Sequence, residues 1–234
     1  MRKIVTNCLL AIGLLGSSLA VSQTSATSLD YGPNFVIENQ TEAQILTRFF
    51  QWSMANGHVE HPLGAQYGPM CGSSADDKII YLKGGGDGKF PARHCVIPHD
   101  KPIFFGVLSA SSYPDSDQAA HENDDCCNCR HFQRQVAATV DTAENMHVEL
   151  DGVSLGDLSK YRAWSFKCFD FFGGLPLEAR PYVAYPAAVD GYWVALKPLL
   201  PGKHVLKWGG NFNNDDDPQL GHMAHQLEYE FEVK

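Results

Sequence analysis

The chain is short of positive charge and contains no cluster of basic residues. Its 18 lysine and arginine residues stand against 27 acidic residues, which gives a net charge of −9. A surface of this sign repels nucleic acid and anionic lipid, because both are negatively charged themselves. We therefore expect no nucleic-acid partner, whereas cations, neutral sugars and other proteins remain open as ligands.

Three common catalytic or nucleotide-binding motifs are also missing. No Gly-x-Ser-x-Gly elbow of an esterase occurs after residue 20, and His121-Glu122 begins a zincin motif that lacks its second histidine. The glycine run at 84–88 does not make a phosphate loop, because Lys83 and Phe90 stand where the motif needs Gly and Ser or Thr. We interpret this run as a hairpin turn.

Long hydrophobic runs are absent after residue 20. Arg2, Lys3, an apolar stretch at 8–16 and the small-residue site Ser18-Leu19-Ala20 form the pattern of a secretory signal peptide. The stretch is shorter than the roughly 20 residues that a membrane anchor needs. We therefore predict a signal peptide at 1–20, a secreted or periplasmic protein and no membrane span. Without Arg2 and Lys3, 16 basic residues face 27 acidic ones, a net charge of −11.

No linker rich in proline, glycine or serine and no internal repeat divides the remaining chain. A chain of about 210 residues suits one sandwich or barrel domain. We expect an N-terminal segment at 21–38, followed by a single domain at 39–234.

An amphipathic helix is predicted at the start of this domain. Thr41 and Gln44 have the spacing of a capping box. Apolar residues then recur at helical spacing, at Ile45, Phe49 and Trp52. We therefore predict a helix at 42–55, and a second, shorter helix at 132–143.

Most other apolar segments are typical of β-strands. They lie at 79–82, 95–97, 103–108, 146–150, 191–196, 204–208 and 225–233. Asp151-Gly152 is a hairpin turn signal, and the residues at 109–131 are predicted to form a long loop. The final strand alternates strictly and points glutamates outward, an acidic face that would guard a sheet edge against aggregation. The fold class is therefore all-β with one N-terminal helix and minor helices, an antiparallel β-sandwich or jelly roll.

Six cysteines lie beyond the signal peptide. They are Cys71, Cys95, Cys126, Cys127, Cys129 and Cys168. An even number in an exported chain favours disulfides. The cluster at 126–129, with His131 beside it, is also compatible with a thiolate metal site, although adjacent cysteines diverge and rarely bind one ion together.

Two histidine pairs are candidate metal ligands: His58 with His61, and His222 with His225. Each pair has i, i+3 spacing at the junction of a loop and a regular element, where two imidazoles can face one ion. Imidazole suits zinc or copper, so a divalent metal is the candidate cofactor. Surface or capping histidines are the alternative interpretation.

Aromatic residues are dense between positions 164 and 193. They are Trp164, Phe166, Phe169, Phe171, Phe172, Tyr182, Tyr185, Tyr192 and Trp193. Some could form a platform on which a sugar stacks, and core packing is the alternative role for them.

Short sequence motifs along most of the chain resemble those of a family of exported, largely uncharacterised microbial proteins. These motifs include Arg93-His-Cys-Val-Ile-Pro98, Lys101-Pro-Ile-Phe-Phe, Leu158-x-x-Tyr-Arg162 and Asp190-Gly-Tyr-Trp. The resemblance implies a sandwich-like domain and a Cys71–Cys95 disulfide, and it carries no assigned reaction. Two features depart from the family pattern: Gly106 stands where proline is usual, and the cysteines at 126–129 are a local addition.

With Cys71 and Cys95 paired as the resemblance implies, Cys168 is expected to bond to one of the cysteines at 126–129. The leading functional hypothesis is a non-enzymatic binding module for carbohydrate or protein. The alternatives are a metal-dependent extracellular enzyme and a metal-carrying envelope protein, both of which use the paired histidines as zinc or copper ligands.

Overall fold

A computed structural model of the chain describes residues 28–55, 71–85, 87–115, 128–216 and 221–234. The predicted signal peptide lies outside these residues. In chain order the elements are β1 (Val36–Ile37), β2 (Gln40–Thr41), α1 (Glu42–Ala55), β3 (Cys71–Ser73), β4 (Ile80–Leu82), β5 (Gly88–Lys89), β6 (Arg93–Ile97), β7 (Ile103–Ser112), α2 (Cys129–Val140), β8 (Glu144–Leu150), β9 (Val153–Ser154), β10 (Arg162–Trp164), β11 (Ala188–Leu196), β12 (Gly202–Asn211) and β13 (Ala224–Val233). No helix in this part of the chain is long and apolar enough to cross a membrane.

Two sheets form a sandwich, which confirms the predicted all-β class. The first has the strand order β10-β11-β7-β4-β3, and the second has the order β9-β8-β12-β13 with β5 and β6 end to end along the far side of β13. Most pairs are antiparallel, but β4 with β7 and β13 with β5 and β6 are parallel. The jelly-roll arrangement stays a prediction.

The main core lies between the two sheets. It takes apolar side chains from both, among them Phe105 and Val194 of the first sheet and Trp208, Tyr229 and Phe231 of the second. The alternation read in the last strand is confirmed, because its apolar residues are buried and its glutamates face outward. Such period-2 burial is what packs one sheet face on another.

Helix α1 covers the outer face of the first sheet and has the predicted bounds. The Thr41 N–H donates to Gln44 Oε1 at 2.9 Å, which is one half of the predicted capping box. Phe49 on its apolar face meets Tyr81 and Phe104 edge to face, at ring distances of 5.5 and 5.6 Å. These contacts build a second aromatic core behind the sheet.

A turn and a bulge show how local sequence shapes the sheets. Asp151 and Gly152 both have positive φ, 51° and 79°, and they join β8 to β9 as the predicted two-residue hairpin. Gly106 lies beside a bulge in β7, where the register with β11 skips Val107, and an added Cβ there would come within 2.8 Å of the Trp193 ring. Glycine is required there because the indole fills the space of a side chain.

Three local predictions are wrong. The final strand β13 is an interior strand, because β12 flanks it on one side and β5 and β6 on the other. The glycines after β4 do not close a hairpin, since β4 and β5 belong to different sheets. The loop predicted at 109–131 is shorter, because β7 continues to Ser112 and α2 begins at Cys129.

The Cys71–Cys95 disulfide joins the two sheets. Cys71 lies in edge strand β3 of the first sheet and Cys95 in β6 of the second, with a Cα–Cα distance of 6.4 Å. The bond closes a separation of 24 residues, which corresponds to about 3 kcal/mol of loop entropy. It therefore ties one margin of the sandwich, and the pairing implied by the resemblance is confirmed.

Candidate functional site

The candidate site lies where α2 packs against β7 and β11 of the first sheet. Apolar residues of α2 are buried there, namely Phe132, Val136 and Val140. Their spacing of four residues is that of one helical face. The Asn128 side chain caps the helix by accepting the His131 N–H at 3.0 Å. The helix is thus fixed at its start and along its length, and its polar flank meets edge strand β10.

The register of β10 and β11 decides which side chains face α2. Trp164 lies directly opposite Asp190, and Arg162 opposite Tyr192. Since alternate residues share a face, Arg162, Trp164 and Asp190 lie on one side of the sheet. Ala163 points to the opposite side, where it packs against the aromatic core behind the sheet.

Arg162 and Asp190 form a two-point ion pair at the base of the site. Arg162 Nε donates to Asp190 Oδ1 at 3.1 Å, and Nη2 donates to Oδ2 at 2.8 Å. The Asp190 side chain is only 6% exposed, so this pairing removes the cost of a buried unpaired carboxylate. The hydrogen bonding of Arg162 to Asp190 is the main cause that raises the pKa of Arg162 above its ordinary value. Partial burial opposes this effect, and the contact with Asp141 adds to it.

The same guanidinium connects the strand to the end of α2. Arg162 Nη1 donates to Asp141 at the helix C-cap, and Nη2 lies 3.4 Å from the Ala137 carbonyl oxygen. A cation here complements the negative end of the helix dipole and offsets an acidic residue at an unfavourable position. Arg162 therefore joins β11, β10 and α2 at one point.

A second connection lies near the start of α2. Gln133 Nε2 donates to the Ser165 carbonyl at 3.2 Å and approaches the Phe166 carbonyl at 3.4 Å. One turn earlier, Cys129 is bonded to Cys168 with a Cα–Cα distance of 5.8 Å. Helix and strand are thus held together at both ends of their contact.

Between these connections lies a pocket of about 360 Å³. Its helix wall is made of Gln133, Val136 and Ala137, and Arg162, Trp164, Val189 and Asp190 line the strand side. Trp164 is 43% exposed at the rim and Phe166 is 70% exposed beside it, with ring centroids 5.2 Å apart and planes at 64°. The pocket therefore combines an accessible aromatic face with a rigid, charged and amide-bearing base.

No protein-family model, curated protein or solved structure matches this chain.

The structure describes only one of the two predicted histidine pairs. His225 is buried, with Nε2 at 2.7 Å from the Val107 carbonyl and Nδ1 at 3.3 Å from the Gly85 carbonyl. His222 is 66% exposed and lies 3.1 Å from Asp215. Burial lowers the pKa of His225, and the two carbonyl contacts only partly oppose this effect.

Both nitrogens of His225 therefore face carbonyl oxygens, which leaves no nitrogen directed toward an ion shared with His222. Among the described residues no group of three or more histidine, cysteine, aspartate or glutamate side chains could hold a metal. His58 and His61 lie outside the described residues, and convergence of the two pairs stays a prediction.

Four of the six predicted disulfide cysteines are bonded, as Cys71–Cys95 and Cys129–Cys168. The expectation that Cys168 bonds within the cluster at 126–129 is confirmed. Cys126 and Cys127 lie outside the described residues. Because Cys129 is oxidised, it is not a thiolate ligand for a metal beside His131.

The aromatic cluster contains both buried and exposed rings. Four of its members are buried, namely Phe169, Phe171, Phe172 and Trp193. Core packing is therefore the correct interpretation for these rings. Trp164, Phe166 and Tyr185 are exposed, and of these Trp164 lines the pocket.

Sequence reasoning missed the Arg162–Asp190 pair and Gln133 as site residues. One signal was present: Asp190 is an acidic residue inside an otherwise apolar strand, and a buried carboxylate needs a partner. Gln133 carried no such signal, because a glutamine on a short helix is ordinarily a solvated residue.

Proposed function

We propose that this protein is an exported, disulfide-bonded binding module whose pocket between α2 and β10 binds a neutral carbohydrate. The observation that carries the proposal is the exposed indole of Trp164 beside the fixed Arg162–Asp190 pair. An aromatic face packs against the apolar face of a sugar ring, while charged and amide groups bond its hydroxyls.

The polar groups of the pocket suit hydroxyl ligands. Two carboxylate oxygens offer about four acceptor positions, and Arg162 fills one on each oxygen of Asp190. The ion pair fixes the orientation of the Asp190 carboxylate, and with it the direction of the remaining acceptor positions. A sugar hydroxyl can donate to such an oxygen without itself carrying a charge.

The charge of the pocket argues for a neutral ligand. One guanidinium is shared between Asp190 and Asp141, so the three groups together carry one negative charge. An acidic sugar would bring its carboxylate toward two others, Asp141 and Asp190, that already share one guanidinium. A concave pocket of this size also fits a small ligand better than the broad surface of a protein partner.

Three observations support export as part of the proposal. The first twenty residues have the pattern of a signal peptide, and the resemblance is to an exported family. The two disulfides of the described residues belong to an oxidising compartment.

The test is calorimetric titration of the chain lacking residues 1–20 with a panel of free neutral hexoses, N-acetylhexosamines and their short oligomers. We expect saturable binding that Trp164→Ala weakens at least tenfold, about 1.4 kcal/mol. Tyr31→Ala is the matched control, because Tyr31 is 38% exposed but lies beside Ala195 at the far end of β11. Equal affinity in wild type and Trp164→Ala, or no binding of any sugar, would contradict the proposal.

A further inference from the structure

We infer that the pocket takes one sugar unit, either a free monosaccharide or the terminal unit of a soluble chain, and does not accept an internal segment of a polysaccharide. This inference rests on the proposed function and deepens it. It follows from the way both ends of the pocket are closed by side chains that cross between α2 and the segment at 162–168, which begins with β10.

The first crossing closes the end near the start of α2. The Gln133 amide spans the gap to the Ser165 and Phe166 carbonyls, and the Cys129–Cys168 disulfide lies one helical turn beyond it. A covalent bond and a hydrogen-bonded amide together block passage in this direction.

The second crossing closes the opposite end. The Arg162 side chain reaches from β10 to the Ala137 carbonyl and to Asp141, while its other edge is held by Asp190. A guanidinium with carboxylates on both sides is not readily displaced by a neutral ligand, because the ligand would leave buried Asp190 without its partner.

The distance between the crossings allows little more than one ring. On the helix, Gln133 and Ala137 are four residues apart, which is about 6 Å of rise. On the strand side, Arg162 and Ser165 are three residues apart, about 10 Å. A second sugar unit in line with the first would run into one of the two crossings, so any continuing chain must leave through the open rim.

The rim also lacks the flat aromatic strip that a polysaccharide surface requires. The rings of Trp164 and Phe166 are inclined at 64°, so they cannot both lie against one flat face. They form a corner instead, in which a single ring contacts the indole and meets Phe166 at its edge. Flat, insoluble polysaccharide therefore gains no more than one aromatic contact.

The experiment compares ligand lengths on the disulfide-bonded chain lacking residues 1–20. Calorimetry measures affinity for glucose, galactose, mannose and N-acetylglucosamine and for their di-, tri- and tetrasaccharides, and depletion assays use cellulose and chitin. We expect a monosaccharide to bind at one site per chain, its oligomers to bind within threefold of it, and no depletion by either solid. Affinity that rises tenfold or more with length, or depletion of the protein by a solid, overturns the inference. The proposed function still stands in that case if Trp164→Ala abolishes the binding.

A variant that opens one end gives an independent readout. In Gln133→Ala the amide part of the first crossing is lost and the disulfide one turn beyond it stays, so the ratio of disaccharide to monosaccharide affinity should rise at least threefold. Gln135→Ala is the matched control, because Gln135 bonds the Ser112 hydroxyl of β7 and does not line the pocket. An unchanged ratio in a Gln133→Ala protein that melts cooperatively overturns the inference. Absence of binding by every sugar overturns both the inference and the proposed function.

Discussion

Arg162 bonds two aspartates that differ in burial, and this difference predicts two very different mutational effects. The Asp190 side chain is 6% exposed, and that of Asp141 is 63% exposed. We expect Asp190→Asn to destabilise the fold strongly and Asp141→Asn hardly at all, although each substitution removes one carboxylate from the same guanidinium.

The magnitudes follow from solvation. Removing one partner from a buried ion pair costs about 3–5 kcal/mol, because the remaining charge is left uncompensated. Arg162 is 27% exposed and keeps Asp141 in the variant, so we expect the lower end, about 3 kcal/mol. Removing the exposed partner should cost at most about 1 kcal/mol. For a chain of this size, 3 kcal/mol corresponds to a melting temperature lowered by about 6–12 °C.

Urea unfolding followed by tryptophan fluorescence measures both values, and equal slopes for all variants establish that the transitions are comparable. The single variant Arg162→Met and the double variant Asp190→Asn/Arg162→Met complete a cycle that isolates the pairwise energy. The reasoning is refuted if Asp190→Asn and Asp141→Asn destabilise the protein equally, since burial would then not decide the strength of the pair.

Three further outcomes are expected. Burial raises the pKa of Glu42 to about 7, and the hydrogen bond from the Asn34 N–H partly offsets this, so the contribution of the protonated carboxyl to folding stability is complete below about pH 4.5 and is lost as the pH rises through 7. Glu42→Gln should therefore stabilise the protein against urea at pH 8 and not at pH 4, and equal effects at both pH values would contradict this. Peptide mapping without reduction should recover Cys129 linked to Cys168, and a free thiol at either position in exported protein would show the assignment to be wrong. Elemental analysis should find no stoichiometric zinc or copper, and a bound metal that His58→Ala removes would instead support the metal hypothesis.

The elements that local sequence specifies were predictable. The capping residues and apolar spacing of α1 define its bounds within its own fourteen residues. Alternation in β13 shows which of its side chains are buried, and Asp151-Gly152 specifies a hairpin by its backbone conformation alone. Each of these signals lies within one segment of chain.

Pairing between distant segments was not predictable in the same way. Alternation in β13 predicts that Tyr229 is buried in the core, but it does not predict that Tyr229 pairs with Arg93, which is 136 residues away. For the same reason the outward glutamates of β13 do not show whether it lies at an edge, because they suit any strand with one solvated face. The candidate site depends on such a pairing, since Arg162 and Asp190 meet only through the β10–β11 register.

The interior position of β13 has a consequence for how the protein is made. It is the last of the described strands to be synthesised, yet it fills the middle of its sheet, between β12 and the much earlier β6. The edges of β6 and β12 therefore stay unpaired on the nascent chain, and contacts of such long sequence separation form slowly. In a protein exported as proposed, this order of synthesis keeps the second sheet incomplete until β13 has been made.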